Sequence, residues 1–178
     1  MSAAPSSTRE ALERAIARRQ RRQTKARWWR FAGLAALALV ADQITKAIVR
    51  GNMEPHETIE IFPGFDLSRV TNEGIAFGLF PGRQGAVAIL TVAALCAIAV
   101  ALAGLVARNA TVAAGAGLLV GGSLGNLIDR LAHGEVTDFL DPAHWPAFNV
   151  ADCCITVGAF LIVLGLMREA EEDDPHPG

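Results

Sequence analysis

Residues 85–107, GAVAILTVAALCAIAVALAGLVA, carry no charged side chain. About 20 apolar residues rising 1.5 Å each are enough to carry a helix across the hydrocarbon of a bilayer. Three further windows approach or meet that test: 31–49 (FAGLAALALVADQITKAIV), 110–128 (ATVAAGAGLLVGGSLGNLI) and 150–167 (VADCCITVGAFLIVLGLM). The 110–128 window is rich in glycine, which weakens its hydropathy but allows helices to approach closely in a bilayer. A content of 52% apolar and 19% charged residues agrees with a membrane protein. The expected fold class is an all-α membrane protein with four transmembrane helices and a small extracytoplasmic β-containing cap.

Orientation follows from charge. The first thirty residues carry nine Lys/Arg against two Glu and end in RRQRRQTKARWWR, directly before the first span. Such a basic flank holds the N-terminus in the cytoplasm, and four spans return the C-terminus to the same side. Arg108, between spans two and three, falls there too. A cleavable secretory signal is the competing reading, but the apolar run begins late and passes into DQITK rather than a small-residue cleavage site. Trp28 and Trp29 suit an interfacial anchor or simple packing on the first turn. Residues 1–30 are therefore expected to be a basic cytoplasmic extension, 31–167 the membrane domain, and 168–178 an acidic disordered tail.

The longest exterior segment is 50–84, where turn residues separate TIEIF, FDLSRV and IAFGLF. These short patches suit strands or irregular surface structure better than a fifth helix. A cap over the mouth of the bundle is expected, with Phe62, Phe65, Phe77 and Phe80 contacting acyl chains or closing its underside. A second exterior connection covers 129–149. The third span runs outward to GNLIDR and the fourth starts near Asp152, so Asp129, Asp138 and Asp152 collect at one membrane face.

Several chemistries remain open for those carboxylates. Asn149 and Asp152 have the spacing of a capping box, so Asp152 can serve the helix start alone. Asp138 can approach it from the connection, and two neighbouring carboxylates that cannot both ionise comfortably form an acid and a base. Arg130 can pair with Asp129 or Asp138, and Asp141 before Pro142 starts a turn. Asp42 and Lys46 are four apart and share a helix face as an ion pair. Asn72 and Gly74 form a turn, or Asn72 presents its amide to a bound backbone. A hydrolytic pair, a structural or transport network and a metal site all use these residues. No Cys/His spacing suits zinc, and Cys96, Cys153 and Cys154 read as packing residues.

Taken together, DQITK (42–46), TNEGIAFG (71–78), GGSLGNLIDR (121–130), GEVTDFLD (134–141) and PAFNVAD (146–152) resemble the lipoprotein signal peptidase family, also called signal peptidase II. The resemblance covers 31–167. It implies a membrane aspartic endopeptidase that cuts diacylglyceryl-modified prolipoproteins before the lipid-bearing cysteine. Asp138 and Asp152 match the catalytic positions of that pattern. Asp42, Lys46, Asn72, Gly74, Gly121, Asn126, Arg130 and Asn149 match polar or small supports for substrate binding or structure, and Asp129 matches a structural position. Thr137 and the Cys153–Cys154 pair depart from the commoner residues beside the dyad. Expected partners are prolipoproteins and membrane phospholipids, with no cofactor and no nucleic acid. The expected state is a monomer in the bacterial cytoplasmic membrane, with its site near the extracytoplasmic face. A transporter or channel using the same groups as an ion path is the alternative from a different class.

Overall fold

The computed structural model of the chain describes residues 4–72 and 84–173. Gly74, Phe77, Phe80, the IAFGLF patch and the end of the acidic tail lie outside the described residues. In chain order the elements are α1 (Ala4–Asn52), β1 (Thr58–Phe62), β2 (Phe65–Asn72), α2 (Gln84–Arg108), α3 (Ala110–His133), β3 (Val136–Pro142) and α4 (Val150–Asp173). All four helices are long and apolar enough to cross a membrane. The three strands form one antiparallel sheet in the order β1-β2-β3.

α1 joins the basic extension and the first span in one helix, since no glycine or proline interrupts it between Pro5 and Gly33. Where it meets the end of α2, Arg27 Nη1 and Thr24 Oγ1 both donate to the Ala107 carbonyl, at 2.9 and 3.4 Å. These bonds satisfy a carbonyl that the helix end leaves open. Trp28 packs edge-on against Phe31 at the same level. α2 is apolar all round, and its Val100 is 82% exposed. In a bilayer such a face meets lipid rather than protein.

α3 is the centre of the bundle and packs mainly on α4 and α1. Its glycines explain how. Gly117, Gly121 and Gly125 recur every four residues on the face toward α1, while Gly115 and Gly122 face α4. A Cβ at Gly121 would collide with the Ala35 carbonyl oxygen, and one at Gly122 would stand 2.5 Å from that of Ala151. Asn109 starts α3 by accepting from the N–H groups of Thr111 and Val112 at 2.9 and 3.1 Å. Its amide also donates to the Gly165 carbonyl of α4 at 3.0 Å. At the other end Gly134 takes the left-handed conformation, φ 79°, and its N–H closes on the Arg130 carbonyl.

β1 and β2 fall on the TIEIF and FDLSRV patches, and the connection after α3 contributes the third strand. Asp141 and Pro142 close β3, with the turn formed after them by Trp145 N–H and the Pro142 carbonyl at 3.0 Å. Asp141 does not start a turn because its carboxylate is engaged across the sheet, accepting from Ser68 Oγ at 2.7 Å. Ser68 in turn meets Thr58 Oγ1 on β1 at 3.0 Å. Phe62 stacks on Phe65 at 5.2 Å and remains 55% exposed. Arg69 anchors the sheet to α1, its Nη1 donating to the Arg50 and Met53 carbonyls at 3.2 and 2.6 Å. α4 runs past the Met167 boundary set by hydropathy to Asp173, so the acidic segment begins as helix.

Candidate active site

Asn149 and Asp152 form the reciprocal cap that their spacing predicts. The Asp152 N–H donates to Asn149 Oδ1 at 3.0 Å, and the Asn149 N–H donates to Asp152 Oδ2 at 3.2 Å. A third open N–H of this helix start, Ala151, donates to Asp42 Oδ1 at 2.9 Å. Because Asn149 Oδ1 faces an N–H, its amide nitrogen points the other way, and it donates to Asp138 Oδ1 at 2.6 Å. One asparagine thus touches both carboxylates.

Asp138 stands on β3 opposite Val70, diagonal to Asn72 of β2. That register brings Asn72 Nδ2 to Asp138 Oδ2 at 3.1 Å. Burial pushes the Asp138 carboxyl from 3.8 up to about 6, against the hydrogen bonds of Asn72 and Asn149 and with a smaller push from the Asp152 charge. A group titrating there gains and loses a proton at small cost near neutral pH. Asp138 and Asp152 line one cavity of about 280 Å³, with Asn72, Asn126, Arg130 and an apolar wall that includes Trp145, Phe148 and Ile155.

Beneath this cavity lies a dry ionic floor. Lys46 Nζ has three acceptors for its three protons: Asp42 Oδ2 at 2.9 Å, Asp129 Oδ2 at 3.1 Å and Asn126 Oδ1 at 2.7 Å. Asp42, Lys46 and Asp129 are each 0% exposed. Burial of such charges is tolerable only with this degree of pairing. Since Lys46 can only donate, Asn126 must turn its oxygen to it and its nitrogen to Asp152 Oδ1, at 2.8 Å. Lys46 stands between Asp42 and Asp129, and Arg50 pairs with Asp129 from the other side, so two cations of the chain itself balance the two carboxylates.

Most residues expected at the site do meet here: Asp42, Lys46, Asn72, Asn126, Asp129, Arg130, Asp138, Asn149 and Asp152 form one connected cluster. Gly121 does not line it; it sits a turn below, against the α1 backbone. Asp129 reaches across to α1, to Lys46 and to Arg50 Nη1 at 3.3 Å, while Arg130 lines the cavity and donates to the Asn126 carbonyl at 3.2 Å. Sequence reasoning missed Gln43, whose Nε2 stands 3.2 Å from Asp42 Oδ2, Asp129 Oδ1 and the Gly125 carbonyl. Arg50 and the Thr137 hydroxyl, 3.2 Å apart, were missed too. Gln43 lies inside the DQITK motif, and Arg50 continues the Asp42, Lys46 spacing by four. Those were the available signals.

The transporter alternative gains no support. Among the described residues, the buried ionisable groups gather at the sheet end, where Asp42, Lys46 and Asp129 pair with one another and Asp138 is held by Asn72 and Asn149, with no polar chain continuing along the bundle.

Comparison with known proteins agrees with this geometry. The sequence pattern of the signal peptidase (SPase) II family matches residues 34–168. A lipoprotein signal peptidase of Pelotomaculum thermopropionicum is 39% identical over 140 residues, covering 78% of this chain and 92% of its own. One from Symbiobacterium thermophilum is 42% identical over 146 residues, covering 75% and 91%. Among solved structures, a bacterial membrane enzyme determined in meso at 2.3 Å resolution superposes with a TM-score of 0.69 at 29% identity, over 82% of this chain and 92% of that one. Four membrane-capable helices, a small sheet and these matches lead to one conclusion: the chain belongs to the signal peptidase II family of membrane peptidases.

Proposed function

We propose that the chain removes signal peptides from diacylglyceryl-modified prolipoproteins by cutting before the lipid-bearing cysteine, and that Asp138 and Asp152 perform the hydrolysis. The observation that carries this reading is the Asn149 bridge, which holds both carboxylates at the edge of one cavity. One carboxylate takes a proton from the attacking water as its oxygen bonds to the scissile carbonyl carbon. The other gives a proton to the departing amide nitrogen as the C–N bond breaks. Asn72 and Asn149 keep Asp138 aimed, while Asn126 keeps Asp152 aimed. Asp42, Lys46 and Asp129 serve as the fixed floor, and Arg130 faces the substrate cavity.

The cavity opens beside the helix ends, where a peptide backbone can enter while acyl chains stay in the bilayer. We place the sheet end outside a bacterial cytoplasmic membrane and both termini inside, supported by the basic flank before the first span. The working unit is a monomer in contact with phospholipid, with 1–30 a cytoplasmic extension. Incubation of the purified protein with prolipoproteins of one sequence, with and without the diacylglyceryl group, at equal membrane incorporation tests the reading. Far faster cleavage of the modified form is expected, because remote lipid contacts align the scissile bond. Equal kcat/KM for the two would contradict it.

A further inference from the structure

Arg50 completes a stripe of polar side chains, with Asp42 and Lys46, at successive fourth positions of α1. Its Nη1 donates to Asp129 Oδ1 at 3.3 Å and to Thr137 Oγ1 at 3.2 Å. Asp129 Oδ2 also accepts from the Thr137 N–H at 3.3 Å. Thr137 is therefore gripped by side chain and backbone one residue before Asp138. Thr137 pairs with Thr71 of β2, but the register shifts just past Asp138, between Leu67 and Val70, so the regular ladder that includes Asp138 ends there. The end of α1, by contrast, is tied down by Arg69 through the Arg50 and Met53 carbonyls.

We propose that Arg50 is a positioning residue for the peptidase reaction: by bridging Asp129 and the Thr137 hydroxyl it sets the depth of β3 against α1, and thereby the place of Asp138 relative to Asp152. This rests on Asp138 and Asp152 being the catalytic pair. Arg50 donates to Asp129 and Thr137, and acts on the pair through the strand.

The test compares Thr137→Val, Thr137→Ser, Arg50→Gln, the Arg50→Gln/Thr137→Val double variant and Asp138→Asn, using purified protein and diacylglyceryl-modified prolipoprotein. Thr137→Val keeps the shape and loses the acceptor, so kcat should fall about fivefold to tenfold with KM unchanged within about twofold. Thr137→Ser restores the acceptor and should restore kcat. The double variant should be no slower than Arg50→Gln, since both changes break one contact. If Arg50→Gln fails to insert, the valine and serine variants decide alone. Parent-like kcat in Thr137→Val, a change confined to KM, failure of serine to rescue, or multiplicative losses in the double variant would each overturn the clamp. Parent-like turnover in Asp138→Asn would instead overturn the catalytic pair, so the two failures are distinguishable.

Discussion

Lys46 Nζ lies 2.7 Å from Asn126 Oδ1, and that contact decides which way the Asn126 amide faces. With its oxygen held by a group that can only donate, Asn126 offers its nitrogen to Asp152 at 2.8 Å. Asn126→Asp keeps the partner of Lys46 but sets a second acceptor against the Asp152 carboxylate. The expected result is a loss in kcat on the order of a hundredfold, the scale of losing one fixed donor at a reacting group. Steady-state kinetics on a lipidated prolipoprotein checks it, and turnover near that of the parent would remove Asn126 from the aiming of Asp152.

Lys46→Met leaves Asp42 and Asp129 facing each other without their shared cation. Breaking a buried pair by removing one partner costs about 3–5 kcal/mol. The thermal midpoint in detergent should drop markedly, and more than in Asp42→Asn/Lys46→Met, which removes a charge of each sign. A single variant as stable as the parent would show that the floor does not hold the bundle together.

Glycine substitutions separate packing from chemistry. A Cβ at Gly125 would press on the Asp42 carboxylate and one at Gly121 on the Ala35 backbone, whereas one at Gly33 would meet nothing within 4 Å. Gly125→Ala and Gly121→Ala are each expected to cost about 1–3 kcal/mol from overpacking. Gly33→Ala should leave the thermal midpoint unchanged or slightly raised, and thermal melts of the three variants check the contrast.

Asp138 also couples stability to pH. Its carboxyl is raised from 3.8 to about 6 in the folded chain, so between those values the folded state holds a proton that the unfolded state has released. Stability from this group is present at low pH and is lost as pH rises through about 6, to the extent of about 3 kcal/mol. Asp138→Asn should abolish that part of the slope when thermal midpoints are compared between pH 4 and 7. An unchanged slope would mean that Asp138 is solvated rather than buried.

Local patterns were legible in the sequence, and contacts between distant segments were not. The four spans follow from apolar length, the Asn149–Asp152 cap from a spacing of three, and the Asp42–Lys46 pair from a spacing of four. β3 was read only as a connection because its partner, β2, lies on the far side of two spans and nothing in Val136–Pro142 announces the pairing. The sequence left Arg130 to pair with Asp129 or with Asp138, and successive helix residues point about 100° apart. Asp129 accordingly turns to Lys46 and Arg50 while Arg130 lines the cavity. Arg50 and Gln43 gain their meaning only from helix packing, which the glycines of α3 permit without specifying.

Orientation can be read by labelling single cysteines on a background lacking Cys96, Cys153 and Cys154. Probes at residues 57 and 20 are expected to react from outside and inside, respectively, with probes at 109 and 173 matching residue 20. The reverse pattern would put the cavity on the cytoplasmic face, away from exported substrates.

The most direct test of the central claim is turnover of one diacylglyceryl-modified prolipoprotein by purified Asp138→Asn and Asp152→Asn. Asparagine keeps the size of each side chain but cannot pass a proton as the carboxyl pair does. Both variants should insert, bind substrate and lose activity by on the order of a thousandfold or more. Cleavage within about threefold of the parent by either folded variant would contradict the assignment of hydrolysis to this pair.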